Sequence, residues 1–192
     1  MDIDSLINRV SAPAGAIGNE APGPEELHLI LAAGMAAPDH GGLTPWRLIT
    51  IQGEAIGKLG DVFAQGLLTV SPEADDAAVE KMRRRPRRAP LILAVVFSPK
   101  PSDSVSQKDQ LLSAGAVAHQ LVLAAESLGY GSVWLTGPMA GNPHVTEQLS
   151  VSSDEELVAF VYIGKVSDDA MAAKRKATSR PAVTDHVTDW AG

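Results

Sequence analysis

The sequence contains no cysteine, and positively charged residues are few. The absence of cysteine excludes disulfide bonds and thiolate chemistry and is compatible with the cytoplasm, where we expect this protein to act. Only 16 Lys and Arg stand against 23 Asp and Glu, which gives a formal net charge of −7. Because the phosphate backbone of a nucleic acid would on average repel such a chain, we expect no nucleic-acid partner.

Long apolar runs and common catalytic motifs are also missing. No run of about 18 apolar residues occurs, so we expect no membrane-spanning helix. The start, MDIDSLINRV, carries acid where a secretory signal carries base, so we expect no export signal. The five histidines show no metal-ligand spacing, and the chain has no HExxH pair, G-x-S-x-G elbow or P-loop lysine. These absences disfavour a bound transition metal, a hydrolase of that type and a nucleotide kinase.

The stretch around which the rest of the chain is organised runs from Asp109 to Thr136. Apolar residues recur there at steps of three and four, and the opposite side is apolar too, which predicts a buried helix that ends at Gly129. The segment SVWLT at Ser132–Thr136 predicts a short buried strand. A chain of 192 residues can bury a substantial core, so we expect a single domain over residues 1–192.

Helices and strands alternate through the rest of the sequence. Helices are predicted from Gly23 to Pro38, Glu54 to Thr69, Ser71 to about Met82 and from Asn142, and strands at Arg47–Gln52, Ala89–Phe97 and Glu156–Gly164. Residues 168–192 form a polar tail whose end carries apolar residues, which predicts that this end docks on another surface. The alternation predicts an α/β or α+β sandwich with helices on both faces of the sheet.

The only dense block of charge comprises five arginines: Arg83, Arg84, Arg85, Arg87 and Arg88. One interpretation is a docking patch for an anionic ligand or for the phosphate of a nicotinamide cofactor. The other is a solvated helix end, where cations suit the negative end of the helix dipole and two prolines interrupt the chain. The pattern favours the solvated helix end.

Single histidines and tryptophans carry little functional signal by themselves. His40 follows a helix in a glycine-rich loop, where it could contact a cofactor, although composition alone favours an exposed ring in a local turn. His119 lies on the central helix and is interpreted as a structural core residue. Trp46 and Trp134 are interpreted first as core aromatics.

Seven short segments follow one another along nearly the whole chain. They are INR-x-S (Ile7–Ser11), EEL-x-x-IL-x-AGM-x-APDH (Glu25–His40), PW (Pro45–Trp46), RAPL (Arg88–Leu91), SAGA (Ser113–Ala116), LGYGSVW (Leu128–Trp134) and IG (Ile163–Gly164). No single segment is specific. In their order and spacing they resemble the nitroreductase family, in particular its minimal single-domain members.

The resemblance implies an α+β fold, a nitroreductase-like sandwich with a mixed central sheet, and an intertwined homodimer. One FMN would lie in each of two clefts at the subunit interface, and the tail, residues 168–192, would pack on the partner subunit. NAD(P)H would give hydride to the flavin and leave, and a small electron-poor acceptor such as a nitroaromatic or a quinone would take its place. No catalytic side chain is obligatory in such a reaction.

By matching position, the resemblance assigns flavin contacts to seven residues: Arg9, Ser11, His40, Trp134, Leu135, Thr136 and Arg180. The first two would hold the phosphate or the ribityl chain, and Arg180 is a further candidate for the phosphate. His40 would approach from the loop after the first long helix. The three residues of the central strand would line the flavin, largely through backbone groups.

The chain departs from the family pattern at several polar positions. Val10 and Pro13 stand where the N-terminal pattern usually has basic residues. Ala36 and Leu135 stand where close relatives often have arginine, and Thr44 stands where glutamine is common. Charge-assisted hydrogen bonds contribute about 1.5–3 kcal/mol each, so losing two without replacement weakens phosphate binding by roughly two to four powers of ten. An alternative function is therefore a flavin-degenerate protein of this fold that binds another ligand or acts as an interaction protein.

Overall fold

A four-stranded sheet forms the centre of the computed structural model, which describes residues 1–192. Its strands are β1 (Trp46–Gln52), β2 (Leu91–Phe97), β3 (Gly131–Leu135) and β4 (Glu156–Gly164), in the spatial order β1-β2-β4-β3. β2 is buried along its whole length, as its continuous apolar sequence predicts. β4 has the bounds that the sequence predicts for the last strand.

Eight helices surround the sheet. They are α1 (Ile3–Ile7), α2 (Pro24–Met35), α3 (Glu54–Val70), α4 (Asp76–Arg84), α5 (Gln107–Ser127), α6 (Gly137–Ala140), α7 (Pro143–Gln148) and α8 (Asp168–Ala177). Single turns of 3-10 helix occur at His40–Gly42, Pro86–Arg88 and Val183–Asp185. None of the helices has both the length and the apolar character that crossing a membrane requires.

All three strand pairings are antiparallel, so the prediction of a mixed sheet is wrong for this chain. The single helix α5 does connect two strands of the same direction, β2 and β3. However, β4 is inserted between them and pairs with both in the antiparallel sense. The sheet therefore contains parallel strands, but no two of them are neighbours.

Side chains of the sheet alternate between two apolar clusters, one on each face. Odd-numbered residues of β2, from Leu91 to Phe97, pack against α2 and α5. Even-numbered residues, from Ile92 to Val96, pack against α3, α4, α6 and α7. The prediction of an α+β sandwich with helices on both faces is therefore confirmed.

The stretch predicted to organise the chain consists of α5, a turn and β3. The Ser106 hydroxyl accepts a hydrogen bond from the Asp109 N–H and caps the start of α5. Gly129, with φ of +80°, lets the chain leave the helix in a left-handed conformation, as predicted. One side of α5 is buried in the core, but Leu112 on the other side is 63% exposed. His119 lies on this outer side and is exposed, so its interpretation as a core residue is wrong.

The structure also differs from the sequence prediction at two helices. The second helical segment after β1 was predicted to start at Ser71, but Asp75 caps α4 by accepting from the Ala78 N–H. The polar tail contains a helix that the sequence pattern did not predict, α8, capped by Ser167. After α8 the tail is exposed, and its apolar side chains are uncovered: Val183 is 75% exposed and Trp190 is 91% exposed.

Candidate functional site

β3 is an edge strand, and only its start is covered on the outer side. The Ala12 N–H donates to the Ser132 carbonyl oxygen at 2.8 Å. Because backbone groups of successive residues in a strand point to alternate sides, the N–H and C=O of Trp134 face the same outer edge as those of Ser132. No strand covers that edge beyond Ser132, so Trp134 offers both a backbone donor and a backbone acceptor.

The start of β3 borders a cavity of about 430 Å³, which we name the Arg9 cavity. Its 14 lining residues come from the N-terminal segment, the turn after α5 and α8. Two guanidinium groups and three carboxylates are among them: Arg9, Arg175, Asp4, Glu126 and Asp168. The positive and negative charges around this cavity therefore nearly cancel.

Arg9 and Glu126 form an ion pair in this cavity, with Nε and Oε2 3.0 Å apart. Nε is buried, and its N–H points away from the direct line to that oxygen, so the contact is an ion pair and not a well-aligned hydrogen bond. Burial raises the pKa of Glu126, although Arg9, the Ser132 hydroxyl and Arg175 oppose that shift. The charge of Arg9 is thus partly balanced by Glu126.

The C-terminal tail is attached to the N-terminal segment beside the Arg9 cavity. Arg180 donates from Nε to the Ile7 carbonyl oxygen at 2.9 Å and from Nη2 to the Arg9 carbonyl oxygen at 2.6 Å. Ser11 is half-buried in the short stretch that joins Arg9 to the start of β3. The structure therefore brings three of the predicted flavin contacts, Arg9, Ser11 and Arg180, into one region.

The end of β3 borders a second cavity, of about 240 Å³, which we name the Arg85 cavity. Its apolar lining residues are Phe63, Leu135, Pro138, Met139 and Phe160. The rings of the two phenylalanines meet edge to face, with centroids 5.4 Å apart. Its polar side chains are Arg85, Arg88, Thr136 and Tyr162, and none of the lining residues is an acid.

The arginine block divides between solvent and this cavity. Arg83 pairs with Asp61 and Glu80, and Arg84 pairs with Glu80, as a solvated helix end predicts. Arg85 and Arg88 have no carboxylate partner and line the Arg85 cavity. From the sequence, the whole block was interpreted as a helix end, without use of the spacing of these two arginines. They flank a turn of 3-10 helix, in which side chains three residues apart share one side.

Tyr162 was also missed, because a tyrosine in a buried strand looks like a core residue. It is 3% exposed, and burial raises its pKa to about 12, although Arg88 and Arg85 oppose the shift. The hydroxyl therefore stays protonated at physiological pH and can donate a hydrogen bond.

The three predicted flavin contacts of the central strand lie along the open part of β3. Trp134 is 37% exposed, so its interpretation as a core aromatic is wrong, whereas Trp46, at 6%, confirms that interpretation. The Trp134 ring extends over α5, with Cη2 3.9 Å from where a Cβ on Gly115 would lie. Leu135 packs against the α3-side cluster, and Thr136 is exposed at the Arg85 cavity.

His40 lies in a different cleft, between its loop and the start of α5. Its neighbours there include Asp109, Leu112 and Ala116. The Asp39 carboxylate accepts from the Thr44 N–H at 2.7 Å, and this local turn leaves the His40 ring exposed. Within one chain, His40 lines neither the Arg9 cavity nor the Arg85 cavity. No group of three His, Asp or Glu side chains is placed to hold a metal ion.

Two of the departures from the family pattern are apolar residues in packed positions. Val10 is 5% exposed, and Leu135 is packed against buried side chains. An arginine at either position would have to bury its charge or displace its neighbours. Beside Leu135, however, Arg85 and Arg88 supply guanidinium groups from the other side of the cavity.

Comparison with known proteins gives consistent results. The model of the nitroreductase family matches residues 18–165. The "Putative NAD(P)H nitroreductase YdjA" of Escherichia coli (strain K12) is 36% identical over 162 residues, which cover 84% of this chain and 86% of YdjA. The nitroreductase-like family protein of Bacillus cereus superposes with a TM-score of 0.83 at 21% identity, covering 100% of this chain and 97% of that chain. The FMN and NADPH-dependent nitroreductase NfnB of Sphigopyxis sp. strain HMH superposes with a TM-score of 0.75 at 18% identity, covering 98% of each chain.

These matches confirm the predicted nitroreductase-like fold and the prediction of an oxidoreductase of the nitroreductase type. The names of the relatives carry the cofactors that the resemblance implied, NAD(P)H for YdjA and FMN with NADPH for NfnB. Since the family model covers most of the sequence and the identity to YdjA extends over most of both chains, the chain belongs to the nitroreductase family.

Proposed function

We propose that this protein is an FMN-dependent oxidoreductase that passes hydride from NAD(P)H to a nitroaromatic, a quinone or a similar small acceptor. The observation that carries the proposal is the open edge of β3 at Trp134, which lies between two cavities that each contain two arginines. Bound FMN would supply the redox chemistry, while the protein supplies binding, orientation and electrostatics.

The residues along β3 fit an elongated, phosphorylated ligand. At the start of the strand, the guanidinium of Arg9 and the hydroxyl of Ser11 suit a phosphate, and Arg180 is close by. Along the edge, the backbone N–H and C=O of Trp134 suit the polar rim of a flavin ring. At about 3.3 Å per residue, β3 spans about 13 Å from Gly131 to Leu135, so a flavin whose phosphate lies at the Arg9 cavity can extend its ring toward the mouth of the Arg85 cavity.

We also propose that the active form is a homodimer of this single domain. The outer side of α5 is apolar at Leu112, Gly115 and Ala116, where Leu112 is exposed and the other two are only partly covered by their own chain. His40 lies beside that same side of α5, away from its own β3 edge. A second copy packed on this side would cover the apolar surface and bring His40 of one subunit toward the β3 edge of the other. The exposed apolar end of the tail, residues 168–192, would pack on the partner.

The flavin proposal is tested by titrating the purified protein with FMN. The visible spectrum and the thermal unfolding midpoint are recorded together, and NADH and NADPH oxidation is then measured with a nitroaromatic and with a quinone. A ligand at 100 times its Kd raises the free energy of unfolding by about 2.7 kcal/mol, so we expect a clear rise in Tm. A colourless protein whose Tm does not respond to FMN would contradict the proposal.

The alternative, a flavin-degenerate protein of the same fold, is favoured by one observation. The charges of the Arg9 cavity nearly cancel, because Glu126 and Asp168 lie beside its two guanidinium groups. This alternative predicts a folded protein without NAD(P)H oxidation at saturating FMN.

Light scattering on the full chain and on Trp190→Ala tests the dimer separately, since the variant should dissociate at a higher concentration than the wild type.

A further inference from the structure

The Arg85 cavity contains positive charge that no residue of the chain balances. Both Arg85 and Arg88 line it without a carboxylate partner, and the Nε of Arg85 is buried without a hydrogen-bond acceptor. The other arginines of the block are accounted for. Arg83 and Arg84 pair with acids, and the Arg87 guanidinium lies against α3, with Nη2 3.2 Å from where a Cβ on Gly57 would be.

The fold holds these two arginines on rigid elements. α4 approaches α3 closely because Gly60 has no side chain, and a Cβ there would overlap the carbonyl oxygen of Arg83. The 3-10 turn at Pro86–Arg88 then aligns Arg85 with Arg88 before the chain enters β2. Two guanidinium groups that line one cavity suit a planar anion, since each can donate two parallel hydrogen bonds to a carboxylate.

The remaining lining residues indicate the rest of the ligand. Phe63, Phe160 and Leu135 provide an apolar wall suited to a ring, and the protonated hydroxyl of Tyr162 adds a neutral donor. The volume, about 240 Å³, is below the range of about 300–1,000 Å³ that drug-sized ligands occupy. The cavity therefore suits one substituted ring and is too small for a dinucleotide.

We propose that the Arg85 cavity binds an aromatic carboxylate, with the carboxylate on Arg85 and Arg88 and the ring against the phenylalanines. In the proposed reaction the ring of this ligand also carries a nitro group, which takes up the electrons that NAD(P)H supplies, so the cavity makes the enzyme selective for anionic nitroaromatic acceptors. That part of the inference rests on the proposed function. Binding of the carboxylate does not, because the arginines, the aromatic wall and the Tyr162 hydroxyl all belong to this chain.

The first experiment measures binding without turnover. Benzoate and its neutral counterpart benzamide are titrated by calorimetry into the purified protein, into Arg85→Gln/Arg88→Gln and into Arg84→Gln. We expect benzoate to bind wild type and Arg84→Gln at least tenfold more tightly than benzamide, and the double variant to lose that preference. Because Arg88 is exposed, the single variant Arg88→Gln should fold normally, and it should lose at least threefold in benzoate affinity.

The second experiment compares 4-nitrobenzoate with 4-nitrobenzamide as acceptors. We expect the KM for the carboxylate to be at least tenfold lower in the wild type and the two KM values to converge in the double variant. Selective benzoate binding without any turnover supports the anion site and counts against the proposed function. Equal binding of benzoate and benzamide overturns the inference. It is also overturned if the double variant keeps the benzoate preference and instead binds FMN tenfold more weakly, since the arginines would then serve the flavin.

Discussion

The two cavities at the ends of β3 both contain arginines, but their electrostatic surroundings differ. In the Arg9 cavity, Glu126 pairs with Arg9 and further carboxylates line the wall, so little net charge remains. In the Arg85 cavity, no acid faces Arg85 or Arg88, and the rest of the wall is mostly apolar. A carboxylate beside an arginine balances part of its charge and fixes its orientation, whereas an arginine without such a partner keeps its full charge for a ligand. Counting basic residues therefore says less about anion binding than finding their partners does.

The largest effect that would sharpen this comparison is expected from Arg9→Gln. If the Arg9 guanidinium binds the flavin phosphate, its loss removes about 1.5–3 kcal/mol of binding free energy and lowers FMN affinity at least tenfold. Quenching of flavin fluorescence during a titration measures this change. The variant also leaves Glu126 without a partner, so Arg9→Gln/Glu126→Gln serves as the control. Benzoate binding should be the same in wild type and both variants, and FMN affinity unchanged in both would remove Arg9 from the site.

The next largest effect, on stability, is expected from Gly60→Ala, which alters the α3–α4 contact beside the Arg85 cavity and leaves the Arg9 cavity unchanged. A methyl group there overlaps the backbone carbonyl of Arg83, so α4 must move and the free energy of unfolding should fall by about 1–3 kcal/mol. Gly57→Ala is the matched control on the same helix, because its methyl group meets only the mobile end of Arg87. Chemical denaturation measures both variants. Equal stability of the two would show that close α3–α4 packing does not depend on Gly60.

A smaller effect is expected at Arg47, which lies outside both cavities and is paired with a carboxylate. It shows how much such an ion pair contributes to the free energy of unfolding. Its Nε and Nη2 donate to the two carboxylate oxygens of Glu155, both at 2.7 Å. These hydrogen bonds lower the pKa of Glu155 to about 2. Because the folded-state pKa lies below the unfolded one, the stabilisation is present above pH 4.5 and is lost as the pH falls toward 2.

Glu155→Gln should therefore cost about 1 kcal/mol at pH 7, a value kept low because Arg47 is partly exposed to solvent. Denaturation curves of wild type and variant between pH 2 and pH 7 measure the difference. The two curves should converge at the acid end. A difference that is independent of pH would mean that packing, and not the ion pair, stabilises this contact.

The smallest effect is expected from Glu126→Gln and concerns the slope of stability against pH. Burial raises the folded-state pKa of Glu126, so the folded state holds its proton more tightly than the unfolded state does. Its contribution to stability is therefore full below pH 4.5 and declines as the pH rises through the folded-state pKa. The glutamine variant should lack that decline in denaturation measured from pH 4 to pH 7. If the variant shows the same slope as the wild type, another group titrates in this range.

Features determined by local sequence were predictable, and features determined by distant contacts were not. The bounds of β4 follow from a continuous apolar run, and the turn at Gly129 follows from the need for a positive φ. The order of the strands does not follow, because nothing in the segment that forms β4 shows that it lies between β2 and β3. α8 had clear capping and charge signals, but it has no buried side, so apolar periodicity did not reveal it.

In the candidate site, too, the sequence alone could not predict the surroundings of single residues. Arg84 and Arg85 are adjacent and chemically identical, yet Arg84 pairs with Glu80 and Arg85 lines a cavity. The difference arises from the direction in which α4 ends against α3, which requires the folded structure. Likewise, family resemblance could indicate that Trp134 lies near a cofactor, but only the position of β3 at the sheet edge explains why its ring is exposed.

The late position of β4 in the sequence has a consequence for how the protein is made. During synthesis, β1 and β2 leave the ribosome well before β3, and β3 has no neighbouring strand until β4 follows. Outside the ribosome, β3 therefore remains without a partner strand until β4 has also emerged. Up to that point only α5 covers β3, so a chain truncated before residue 156 should be far more sensitive to protease than the full chain.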